Sequence, residues 1–246
     1  LEGIGSEGAA RALLFTNPRD DAYLQQRIAA SLVTIVAREP GIPVDKKRTD
    51  EAIGRRLVAF HAYDDARHDL VRDDAASLTL LKRTVRDRCQ QNLKIALDLL
   101  GIHRGLARMQ TVYAGLTSGT EAARHDAIEL LDAALAGDPL REDFLALLER
   151  DHAHKTLADA HNRVRSLCRS KDPLLRGIAR RTIELLGIDA GSMSVRAGAV
   201  GPGAFELEGD DMPANLVERL FLLEHVDLFE GLATDGRLHP VQQAFI

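Results

Sequence analysis

Tryptophan is absent from this 246-residue chain, and Phe, Trp and Tyr together make up only 4% of it. Sheets draw on aromatic and β-branched side chains, whereas here Leu and Ala supply the bulk of a composition that is 45% apolar. Those residues favour helix, so the shortage of aromatics points to helix-on-helix packing. Cysteine is scarce too: Cys89 and Cys168 are too few for a disulfide framework. Both fall inside helical patterns, which reads as two buried free thiols in a cytosolic protein. The longest apolar run, Ile28 to Ala37, is interrupted by Ser31 and Thr34 and reaches about half the length of a membrane span. No stretch of the given sequence reads as a signal peptide. Neither charge dominates: 32 Lys and Arg against 37 Asp and Glu leave −5, which offers no general attraction to nucleic acid or to anionic membranes. The chain opens on LEGIGSEGAARALLF without an initiator Met and stops at VQQAFI, so it reads as a fragment of something longer.

What is present is periodicity. In SGTEAARHDAIELLDAAL, residues 118–135, Ala123, Ala127, Leu130, Leu131 and Ala134 follow the spacing of one helix face, which Ile128 and Leu135 widen. Ser118 and Glu121 have the spacing of a capping box. The phrase Arg-x-x-Ala followed by apolar pairs occurs at Arg124 and Ala127, and again at Arg176 and Ala179 in SKDPLLRGIARRTIELLG. A third copy is placed at Arg27 and Ala30. The two later copies lie about 52 residues apart, slightly more than the usual two-helix period, and predict a stack of helix pairs, an α-solenoid.

In chain order, a helix from Glu7 ends at Phe15, and Asn17-Pro18 starts one that runs to about Arg38. Helices follow from about Val44 to Phe60 and from Tyr63 to Arg72. A longer one spans Ala75 to Leu100, with Gly101 as its left-handed cap. His103 to Leu116 pairs with the Ser118 helix. Asp138-Pro139 opens a helix ending near Arg150, Ala153 to Arg169 is another, and Asp172-Pro173 opens the last, which Gly187 closes. The domain map is therefore a helical-repeat domain over 1–187, a Gly- and Asp-rich linker over 188–213 and a helical tail over 214–246, within which Asn215 to Glu224 is amphipathic.

Candidate sites are sparse. His152, His154 and His161, preceded by Asp151, invite a metal reading, but His152 and His154 point apart on a helix and no third well-spaced ligand joins them. His61 and His68 with Asp64 and Asp65 resemble a carboxylate–histidine site only loosely; a charged solvent face accounts for them. Arg163, Arg165, Arg169, Lys171, Arg176, Arg180 and Arg181 form the one dense basic stretch, read either as an anion-binding patch or as arginines that bond turn carbonyls and neighbouring acids. GAVGPGAF follows no strand and opens no helix, which argues against a phosphate loop. No residue is assigned as catalytic, cofactor-binding or metal-ligating, and no cofactor is expected.

The repeated phrases resemble HEAT repeats, with Asp-Pro or Asn-Pro turns, Arg early in the second helix, Ala three residues later and then Leu pairs, across most of residues 9–187. GLARMQTVYAGLTSGTEAARHDAIELLDAALAGDPLREDFLALLE more narrowly resembles the HEAT region of bacterial membrane proteins related to ADP/ATP translocases and major-facilitator carriers. There the region follows a membrane domain and precedes a cyclic-nucleotide-binding domain. MPANLVERLFLLEHVDLFEGL is similar to the helical lead-in of that last domain, through Leu223, Val226, Leu228, Phe229 and Leu232. The β-roll and its Gly-Glu…Arg phosphate cassette are absent, so nucleotide binding does not carry over. The resemblance implies a non-catalytic scaffold or regulatory region, cytoplasmic and membrane-tethered in the full-length protein. Its partners would be the carrier and sensor domains, with neither nucleic acid nor direct membrane insertion. The alternative is a HEAT-like DNA glycosylase or another nucleic-acid-binding solenoid. That class wants a cationic groove with aromatics to stack on DNA, and the composition speaks against both.

Overall fold

A computed structural model describes residues 6–16, 22–39, 41–71, 73–148, 156–188 and 216–217. The regular elements among them are all helical: α1 (Ser6–Phe15), α2 (Ala22–Arg38), α3 (Lys46–Leu70), a 3₁₀ turn (Ala76–Leu78), α4 (Thr79–Arg104), α5 (Leu106–Thr117), α6 (Glu121–Ala134), α7 (Leu140–Leu148), α8 (Leu157–Leu167) and α9 (Pro173–Leu186). The chain is all-α over this range, and no described helix is long and apolar enough to cross a membrane.

Local chemistry accounts for most boundaries. Asp45 starts α3 by accepting the Arg48 amide at 3.2 Å. The helix then runs unbroken through residues 61–63, where two helices are expected from the sequence. Its charged second half buries Ala66 and Leu70 together with Asp64 and Asp69, and side-chain pairs about one turn apart support it. Arg67 reaches Asp64 at 2.8 Å, and His61 reaches Asp65 at 3.0 Å. At the other end of the chain, Asp172 accepts the Leu174 and Leu175 amides, and Pro173 occupies the first turn of α9. Gly187, at φ 61°, closes α9 in a Schellman motif, with Ile188 N–H bonded to the Ile183 carbonyl and Gly187 N–H to that of Glu184.

Three further expectations fail here. Gly101 is not a cap: α4 continues through it to Arg104, and the left-handed glycine is Gly105, at φ 101°. Gly101 is instead a packing glycine, since a Cβ there would stand 3.1 Å from the Cα of Leu106 at the start of α5. The capping box of Ser118 and Glu121 does not form. Gly119 turns the chain at φ 78° and Thr120 becomes the extended residue before α6. The Ser118 hydroxyl donates back to the Gly115 carbonyl at 2.9 Å. Lastly, Ala127 and Ala179 are buried as the repeated phrase requires, but Ala30 is exposed and its neighbour Ala29 is buried in its place. The copy at Arg27 is one residue out of register with the core.

The described helices belong to two compact units, residues 1–72 with 82–160, and residues 73–81 with 161–246. In the first, Leu32, Ile53, Leu97, Met109, Leu131 and Phe144 anchor one contiguous apolar core. A tight seam lies between α5 and α6, where a Cβ on Gly115 would stand 2.7 Å from the Ala127 Cβ and 2.8 Å from the Ala123 carbonyl oxygen. Only glycine admits that approach. In the second unit Leu78, Leu81, Val164, Leu175, Ile178 and Ile183 are buried. Val217 is buried there too, with its Cγ2 2.9 Å from where a Cβ on Gly177 would sit. The two thiols, Cys89 and Cys168, are both free and buried.

Candidate functional site

Among the described residues a dense polar constellation is centred on Asp138, whose side chain is 2% exposed. The Asp-Pro pair puts it at the start of α7, where one carboxylate oxygen accepts the Leu140 amide at 3.1 Å. The other oxygen receives Arg104, from the end of α4, at 2.5 Å and Lys46, from the start of α3, at 3.3 Å. Lys46 also bonds Asp50 at 2.7 Å. Burial alone would push the Asp138 carboxyl up; the hydrogen bonds from Arg104, the Leu140 amide and Lys46 outweigh it and hold the group below the ordinary aspartate range. A carboxylate so engaged is an anchor for three helix ends. Beside it His103 has its Nε2 buried with no hydrogen-bond partner among the described residues, and burial, reinforced by the nearby Lys46, pushes its pKa down. The sequence signalled only the cap. Arg104 lies 34 residues from Asp138, and no local pattern announces that pairing.

The arginines of the repeated phrase do a specific job. Arg124 donates to the carbonyl of Leu148, at the end of α7. Arg176 donates to the carbonyl of Ser170, in the turn before α9, at 2.8 Å. Both therefore satisfy carbonyls that helix ends and turns leave open. In the rest of the basic stretch, Arg165 bonds Asn162 at 3.0 Å and Arg181 bonds Glu184 at 2.9 Å, while Arg169 and Lys171 are exposed. This is the carbonyl-and-acid pattern for part of the stretch.

The histidines separate. His61 pairs with Asp65, and His68 Nδ1 lies 2.8 Å from the Asp64 carbonyl oxygen, each one turn along α3. Among the described residues no three His, Cys, Asp or Glu side chains are grouped so as to hold a metal ion. Asp151, His152 and His154 lie outside the described residues, as do GAVGPGAF and most of the 188–213 linker. His161 is placed by a contact that the sequence does not announce. Its Nε2 lies 3.2 Å from Asp73, 88 residues earlier, and Asp73 in turn accepts the Ala75 amide that leads into the 3₁₀ turn. Within the same unit Thr182 of α9 donates to Ile178 at 2.9 Å and approaches the Ser77 carbonyl at 3.4 Å.

The thiols are unreactive by environment. Burial, with Asp64 adding its negative charge, raises Cys89 to about 12. Burial likewise raises Cys168 against the opposing pull of Arg180 and Arg169.

No protein-family model matches this chain, and no curated protein or solved structure is significantly similar to it.

Proposed function

We propose that this chain is a non-catalytic α-solenoid scaffold built from HEAT-like pairs of antiparallel helices. In this reading it is the regulatory region of a bacterial membrane transport protein and mediates contacts between a carrier domain and a sensor domain. The observation that carries it is the Arg124 contact. The arginine of the repeated phrase, on one helix of the tight α5–α6 pair, reaches the carbonyl at the end of the next helix, α7. Stacked repeats use such contacts because each pair of helices must be held mainly by its neighbours. The turn contact of Arg176 supports the same reading, as does the burial of Val217, since a lead-in helix needs a surface on which to dock.

Two measurements test the proposal. The reading frame around the chain should encode membrane-spanning helices on its N-terminal side and a β-roll with a phosphate cassette on its C-terminal side. A frame that encodes neither removes the transport role. Calorimetry should detect no binding of cyclic AMP or cyclic GMP to the chain itself; micromolar binding of either would overturn the scaffold reading. Steeply salt-dependent binding to duplex DNA would favour a nucleic-acid-binding solenoid instead.

A further inference from the structure

A small cavity of about 60 Å³ opens in the first unit among α1, α2, α3 and α4. The apolar part of its lining includes Leu13, Leu14, Ile28, Leu32, Ile95 and Leu99. The polar part is formed by half-buried Arg56 and exposed Arg55 of α3, with Gln25 of α2. A water needs about 10–15 Å³ by the same measure, so the space admits about four to six non-hydrogen atoms.

Among the described residues no acidic side chain lines this cavity. Arg56 is half-buried, and its guanidinium donates to the amide oxygens of Gln25 and Asn92. Asn92 is itself buried and commits its NH₂ group to the Arg88 carbonyl at 2.7 Å, which leaves its oxygen for Arg56. Both acceptors are neutral. The neighbours that act on Arg56 electrostatically are Arg55 and Tyr63, and no carboxylate among the described residues pairs with either arginine. A cation drawn out of water is normally met by an acid. Here the described residues supply Arg56 with hydrogen bonds to neutral amides, beside the apolar part of the cavity lining.

We propose that this cavity binds a small aliphatic carboxylate, whose hydrocarbon end lies against the leucine and isoleucine wall and whose carboxylate is held by Arg56 with Arg55. The guanidinium suits the role because its planar fork matches a carboxylate in two parallel hydrogen bonds. With the two carboxylate oxygens outside the cavity at the arginines, the volume sets a branched or straight chain of about four or five carbons. Such a site is independent of the scaffold reading, and a scaffold that holds it would sense a metabolite.

The test is a ligand-observed NMR titration of the whole chain at pH 7 with isovalerate as the probe. Saturable binding is expected, with a Kd on the order of 1 mM, as suits so few contact atoms. Isovaleramide, which has the same shape without the charge, should bind at least about tenfold more weakly, or about 1.4 kcal/mol. Inorganic phosphate, which has a charge but no tail, should do the same. Arg56→Gln should lose at least about tenfold for isovalerate while its far-UV circular dichroism stays that of the parent. Ala52→Leu, which fills the cavity from α3, should abolish binding. No saturable binding of isovalerate up to about 20 mM overturns the proposal. Equal binding of isovaleramide or phosphate does so too, and both comparisons need only the unaltered protein.

Discussion

Replacing Asp138 by alanine removes three interactions at once, and the structure allows each to be weighed. Loss of the bond to the Leu140 amide is loss of a helix cap, about 1 kcal/mol. Removing one partner of a fully buried ion pair costs about 3–5 kcal/mol. Arg104 and Lys46 keep 32% and 49% of their side-chain exposure, so water recovers much of their solvation. The electrostatic share is therefore nearer 1–2 kcal/mol, for a total of about 2–3 kcal/mol. Asp138→Asn can still accept the amide and should cost only the electrostatic share, about 1–2 kcal/mol. Urea unfolding at pH 7, followed by tyrosine fluorescence, isolates the relevant unit, since Tyr23, Tyr63 and Tyr113 all belong to the first one. A double-mutant cycle with Arg104→Met should return a coupling of about 1–2 kcal/mol. The pH dependence has a definite sign. Because the folded carboxyl is held below its unfolded value, its stabilisation is complete above about pH 4 and is lost as the pH falls through the folded pKa. An Asp138→Ala protein within about 0.5 kcal/mol of the parent would refute the anchoring role. An Asn variant as costly as the Ala variant would refute the assignment of a separate cap.

Other expectations follow from equally local observations. Leu131→Asp places a carboxylate where the parent residue has no exposed surface and should cost several kcal/mol; a melting temperature within about a degree of the parent would contradict the helix face. Gly115→Ala should destabilise by about 1–2 kcal/mol in urea, because contact with the Ala123 carbonyl outweighs a propensity gain of about 1 kcal/mol. Gly54→Ala, with nothing near its Cβ position on α3, should instead stabilise by about 0.5–1 kcal/mol. His103, whose pKa is depressed by burial, makes folding less favourable as the pH drops below its unfolded value of about 6.5. His103→Gln should flatten that part of the stability curve between about pH 5 and 7. Cys89 and Cys168 should react with a disulfide reagent only as fast as their surroundings open, so urea should accelerate labelling strongly; rapid labelling of the native protein would place a thiol at the surface.

The sequence by itself determined the helical class and most of the helix faces. Leucine and alanine at a 3.6-residue period have few other ways to bury themselves. Leu131 and Ile183 are buried at the positions the period assigns, and Asp172-Pro173 and Gly187 bound α9 by chemistry contained in a few neighbouring residues. Both thiols are buried, as their places in the helical pattern required. Where the sequence reading failed, the deciding contact came from elsewhere in the chain. Gly101 looked like a cap because glycine after a leucine pair usually is one, but the approach of Leu106 selected it and carried the helix onward to Gly105. Ser118 could have capped α6, had Gly119 not turned the chain so that the hydroxyl met Gly115 instead. Ala30 matched the repeated phrase in letters but not in register, since Ala29 is the residue that meets the core. Tertiary structure alone brought Lys46, Arg104 and Asp138 together, set His161 against Asp73, and left Arg56 among amides at the edge of an apolar cavity. A helical period records which face is buried, but not which residue of a distant helix lies against it. Ion pairs and cavities depend on that second fact, and here tertiary packing supplied it.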